Sequence, residues 1–77
     1  MERGLIIHLE VYLPFRGKRR WVGEESLPTG MTAGGLVAHL GLTEPELVVL
    51  VGGRYVAPET PLQEGAQVAI LRQAEGG

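Results

Sequence analysis

Leu5-Ile6-Ile7-His8-Leu9-Glu10-Val11-Tyr12-Leu13 decides the architecture. Leu5, Ile7, Leu9, Val11 and Leu13 fall on one side and Ile6, His8, Glu10 and Tyr12 on the other, the period of a half-buried β-strand. Pro14 ends the run. The following Pro14-Phe15-Arg16-Gly17-Lys18-Arg19-Arg20 reads as a hairpin loop, which returns the chain into a second strand near Trp21 to Leu27. Its basic cluster is expected to be a solvated tip that discourages edge pairing. Glu24 and Glu25, adjacent on a strand, face opposite sides; they form no acid–base dyad and are expected in solvent.

Beyond the hairpin, Pro28-Thr29-Gly30 is turn chemistry, and Thr32 is placed to cap a helix carrying Ala33, Leu36, Val37 and Leu40 on one side. Gly41 stops it. Gly34 and Gly35 each cost about 1 kcal/mol relative to alanine, so packing must hold this helix and its start is expected to fray. After a connecting turn at Thr43-Glu44-Pro45-Glu46, the continuous apolar run Leu47-Val48-Val49-Leu50-Val51 predicts a strand in the sheet interior. Gly52-Gly53 permits the positive φ of a tight turn into Arg54-Tyr55-Val56. Pro58 and Pro61 keep the next segment extended or turned, and Leu62-Gln63-Glu64-Gly65 leads into a last strand, Ala66 to Leu71. There Val68 and Ile70 share one face, and Ala69 and Leu71 the other.

The order hairpin, helix, short hairpin, final strand predicts an α+β fold of the β-grasp type: a small mixed sheet of about five strands crossed by one helix. The helical crossover allows the first and last strands to lie parallel at its centre. The expected core is Leu9, Val11, Leu36, Leu40, Val49, Val68 and Ile70. A chain of 77 residues makes one domain, taken as residues 1–71, with 72–77 as a flexible polar tail ending in Gly76-Gly77.

Composition narrows the chemistry. A formal net charge of −2 offers no broad positive field for nucleic acid and no polybasic membrane anchor. No apolar run approaches the ~20 residues of a membrane span, and the opening Met-Glu-Arg-Gly lacks a signal-peptide core. Without cysteine there is no disulfide and no sulfur nucleophile, which fits a reducing compartment; a cytoplasmic protein, monomeric when free, is expected. His8 and His39 have neither the spacing nor the carboxylate context of a metal or catalytic site. Ser26 has no nucleophile elbow, and no phosphate-binding loop or nucleotide fingerprint occurs.

What remains is the end of the chain. Leu27-Pro28-Thr29-Gly30, His39-Leu40-Gly41-Leu42, the Val48–Arg54 hairpin and Thr60–Ile70, followed by Gly76-Gly77, together resemble the ubiquitin-like sulfur carriers of the MoaD and ThiS type. That resemblance implies a carrier and not an enzyme. A partner adenylating enzyme of the ubiquitin-activating kind would use ATP to activate the Gly77 carboxyl, which is otherwise an inert carboxylate with a reference pKa of about 3.5. A partner-bound persulfide would then give a C-terminal thiocarboxylate, and a sulfur-accepting synthase subunit would receive the sulfur. No cofactor is expected on this chain. Chain length and the long first hairpin lean toward molybdopterin or tungstopterin over thiamine. Departures at Gly34-Gly35, at Gly52-Gly53 and in the polar lead-in Leu71 to Glu75 bear on which activating enzyme accepts the tail. The expected docking face, opposite the helix, is Ile6, Tyr12, Tyr55, Ala69 and Leu71. A ubiquitin-like protein modifier and a β-grasp interaction module with a silent end are the competing readings.

Overall fold

The computed structural model describes residues 4–73. Elements follow the order β1 (Gly4–Val11), β2 (Trp21–Pro28), α1 (Ala33–His39), β3 (Leu47–Val51), β4 (Arg54–Tyr55) and β5 (Gln67–Arg72). They form one five-stranded sheet in the order β2-β1-β5-β3-β4. Its central pair, β1 and β5, is parallel, with Leu9 beside Val68 and Val11 beside Ile70, and the remaining pairs are antiparallel. This is the β-grasp arrangement.

The alternation of β1 carries through to burial. Leu5, Ile7, Leu9, Val11 and Leu13 are buried, while Ile6, His8 and Tyr12 are exposed. Val68, Ile70, Val49, Leu27, Ala33 and Leu36 join the same core. Of the expected core residues only Leu40 differs: it is half-buried at the helix C-cap, packed against the core's margin. Helix α1 ends there by geometry, since Gly41 takes φ 76° and the Gly41 and Leu42 N–H groups donate to Ala38 and Val37 carbonyls. That is a Schellman stop.

The apolar run of β3 lies in the sheet interior as expected, between β5 and β4, with Val49 fully buried. Two expectations are corrected. The helix start does not fray: Thr32 Oγ1 accepts from Gly35 N–H at 3.0 Å, and the Ala33 and Gly34 N–H groups donate to Thr60 and Pro58 carbonyls at 2.9 and 2.8 Å. Gly34 lies so close to this strap that a Cβ would meet Pro58 at 3.0 Å. Glycine here serves close approach. Second, Glu25 is not solvated. Its side chain is only 14% exposed and receives a two-pronged ion pair from Arg16 at 3.0–3.1 Å.

Arg16 is also stacked 4.7 Å from the Phe15 ring and 4.8 Å from that of Trp21. Phe15 is itself buried, so the loop supplies core. The loop's turn is tight, Arg16 and Gly17 at φ 52° and 79° and Phe15 bridged to Lys18. In the register of β2, Trp21 and Glu25 oppose Val11 and Ile7, so this assembly covers the core-side face of the edge strand beside the helix.

Candidate functional site

Strand β5 is held on both sides, and Tyr12 N–H adds a bond to the Ile70 carbonyl at 2.8 Å. Pairing runs past the boundary read at Leu71: Arg72 opposes Leu47, and Gln73 N–H donates to Glu46 O at 2.9 Å. Glu46 adopts φ 63°, a left-handed conformation that a non-glycine residue takes at a cost, in the loop whose carbonyl makes this bond. Arg72 reaches Glu44 at 3.5 Å, where the other carboxylate oxygen, Glu44 Oε1, is buried without a hydrogen-bond partner. The 43–46 loop therefore clasps the strand just before the tail. Gly76 and Gly77 lie outside the described residues.

On the face of the sheet away from the helix lies an open depression of about 930 Å³. Tyr12, Ala69 and Leu71 line it, together with Val22 and Leu50, and Arg72 stands at its tail end. Ile6 shares this face but sits opposite Ser26, at the far end of β1 from the tail. Tyr55, 69% exposed, borders a second groove between α1 and the β3–β4 edge. Val22, 60% exposed, was not read from sequence as part of this face. Its partner Glu10 lies on the outward side of β1, a register that only the tight hairpin fixes. Leu50 was missed because a continuous apolar run carries no face information.

Polar groups rim the depression. Tyr12 O–H donates to Glu10 Oε1, and the Arg20 guanidinium lies 4.8 Å over the Tyr12 ring. The hydrogen bond to Glu10 is the main reason the Tyr12 phenol is held above its ordinary pKa of 10.0; desolvation and the Glu10 charge add to it, and Arg20 opposes them. His8 faces Glu24 at 3.7 Å. Among the described residues no three His, Asp or Glu side chains converge as a metal site requires, and no helix is long and apolar enough to cross a membrane.

The last strand, paired on both sides, thus runs beside an apolar depression on the open sheet face. The ThiS family model matches residues 15–77, most of the chain including its final glycines. The chain belongs to the ThiS family. No protein of curated function matches its sequence significantly. The ThiS-family chain is similar in structure to small archaeal modifier protein 1 of Haloferax volcanii in two crystal structures, at TM-scores of 0.68 and 0.64 and identities of 15% and 16%. These cover 92% and 94% of this chain and 100% and 99% of the other. The ubiquitin of Caldiarchaeum subterraneum gives 0.62 at 14% identity, covering 97% of this chain and all of that one. The fold is thus the ubiquitin-like one, and the family this chain belongs to is one of small carrier proteins rather than catalysts.

Proposed function

We propose that this ThiS-family chain is a sulfur carrier whose Gly77 carboxyl is adenylated by a partner enzyme and converted to a thiocarboxylate. The observation that carries this reading is that the family match extends through residue 77, so the Gly76-Gly77 end falls within the matched region. Chemically, the Gly77 carboxylate attacks the α-phosphorus of ATP, pyrophosphate leaves, and the resulting mixed anhydride accepts sulfur from a partner-bound persulfide as AMP departs. Reduction of the acyl disulfide by a thiol frees the thiocarboxylate. The chain supplies the carboxyl and its placement; ATP and sulfur belong to the partners. The clasp of Arg72 and Gln73 by the 43–46 loop supports the reading, because it fixes where the tail starts relative to the open face. Tyr12, Ala69 and Leu71, with Val22 and Leu50, would seat the adenylating enzyme, and the sulfur would pass to an acceptor subunit of cofactor biosynthesis.

Intact-protein mass spectrometry of the chain isolated from its host under non-oxidising conditions tests this. A species heavier by the exchange of one oxygen for sulfur, confined to the C-terminal peptide and lost when Gly77 is deleted, is expected. Only plain carboxylate, with ATP, sulfur donor and activating enzyme all supplied, would overturn it. The likeness to a protein named as a modifier gives a second reading. A ladder of lysine-linked conjugates to other proteins in place of the sulfur species would favour that one.

A further inference from the structure

The sheet ends on one side at β2, eight residues long, and on the other at β4, only two. Hydrogen bonds of β1 fix which way the backbone of β2 points. The Ile6 carbonyl accepts from Gly65 N–H, and the His8 and Tyr12 N–H groups donate to the Ala66 and Ile70 carbonyls, at 2.8–2.9 Å. Even-numbered residues of β1 thus turn their backbone groups to β5, and odd-numbered ones to β2. Register then pairs Leu5, Ile7, Leu9 and Val11 with Leu27, Glu25, Gly23 and Trp21. That leaves the N–H and C=O groups of Val22, Glu24 and Ser26 directed away from the sheet, with no strand partner among the described residues.

Natural edges of this length are blunted by a bulge, a lysine, a proline or a charge turned toward the core. The register of β2 is unbroken over all eight pairs, the strand holds no lysine, and its proline is the last residue. Its one charge on the helix side, Glu25, is neutralised by Arg16. On that side the Trp21 ring lies over Gly23, where an added Cβ would meet it at 2.8 Å, so a half-buried indole flanks the edge. On the open side stand Val22 and Glu24, both exposed.

We propose that β2 accepts a sixth strand, an extended basic segment of a protein partner running antiparallel to it. The segment's backbone pairs with the outward groups of Val22, Glu24 and Ser26. A lysine or arginine stands opposite Glu24, an apolar residue opposite Val22, and the residues between them lie on the helix side beside Trp21. Charge separates this occupant from a second copy of the chain. The two-fold pairing that engages all three outward residues sets Glu24 directly against Glu24, and like charges opposite one another destabilise a sheet. A basic segment meets the same carboxylate as its counterion. The edge lies two strands from β5, and nothing in the proposal rests on the chemistry of Gly77.

The test titrates the full chain, its C-terminus unmodified, with the acetylated and amidated peptide Thr-Thr-Val-Lys-Val-Ile-Thr, which sets lysine opposite Glu24 and isoleucine opposite Val22. Amide hydrogen exchange followed by NMR gives the readout. In the free chain the Val22, Glu24 and Ser26 amides should exchange fast, and at saturation they should slow by about tenfold or more. Gly23 and Glu25, already bonded to β1, should stay protected throughout. Glutamate in place of the peptide's lysine should weaken binding about fivefold, and Glu24→Lys should reverse that order of preference. Ser26→Pro, which removes one outward N–H and none of the β1 ladder, should also weaken binding while circular dichroism reports a folded sheet. Unchanged exchange at the three amides with millimolar peptide, equal binding of the lysine and glutamate peptides, or slowing that grows with protein concentration in the absence of peptide would each overturn the proposal. The last of these would put a second copy on the edge.

Discussion

At Arg16 a single side chain joins three others: its fork holds Glu25 and its plane rests against Phe15 and Trp21. Lysine keeps the charge but neither the fork nor the stack, so Arg16→Lys should cost about 1 kcal/mol in urea unfolding, the pair being partly exposed. An unchanged midpoint would mean the loop carries no stability. Phe15 and Arg16 are neighbours, but Trp21 and Glu25 come from the next strand and three of the four types are ordinarily surface or boundary ones, so nothing in the local pattern announces their meeting. Tyr12 offers a second test. Its neutral form is the one the folded chain favours, so any contribution to stability is complete below pH 10.0 and fades as pH rises through the raised value. In a Tyr55→Phe background, absorbance near 295 nm should titrate with a midpoint above 10.0, and Glu10→Gln should bring it down. A midpoint indifferent to Glu10 would remove that hydrogen bond from the account.

The helix reverses a general expectation at the scale of an element. Glycine to alanine inside a helix ordinarily gains up to about 1 kcal/mol, but Gly34→Ala should destabilise by roughly that amount. Its new Cβ would press on Pro58, a rigid ring in the strap whose carbonyl accepts the Gly34 N–H. A stabilised variant would show that the strap yields. The sequence displayed these glycines as a weakness because the strap that explains them lies far along the chain. By contrast, the strands were legible. Leu9 and Ile70 fall at buried positions of strict alternations and sit on the central parallel pair, both 0% exposed. Truncating either to alanine should cost about 2 to 5 kcal/mol, checked by thermal or urea unfolding, and a loss under about 1 kcal/mol would contradict the packing.

Across the whole molecule, the division of labour is between a core that holds β5 and a face that is left open around its end. The clasp of Arg72 and Gln73 was not readable, because it comes from a loop that looked only like a connection. Removing Gly77 should therefore leave stability within about 0.5 kcal/mol of the parent while abolishing the sulfur-bearing species. Leu71 tests the face itself. It lines the depression, half-buried, opposite Val48 on β3 and away from the buried side of Ile70. A carboxylate there would lie in the apolar floor that a partner must desolvate, so Leu71→Asp should weaken binding to the adenylating enzyme by 2 kcal/mol or more, roughly thirtyfold. Because the side chain is only half covered in the free chain, the cost to folding should stay near 1 kcal/mol, and circular dichroism should report a folded domain. Ile6→Asp is the control, on the same sheet face but at the end remote from the tail. Equal loss of binding from both would spread the interface over the full sheet, and no loss from Leu71→Asp would move the docking surface off this face altogether.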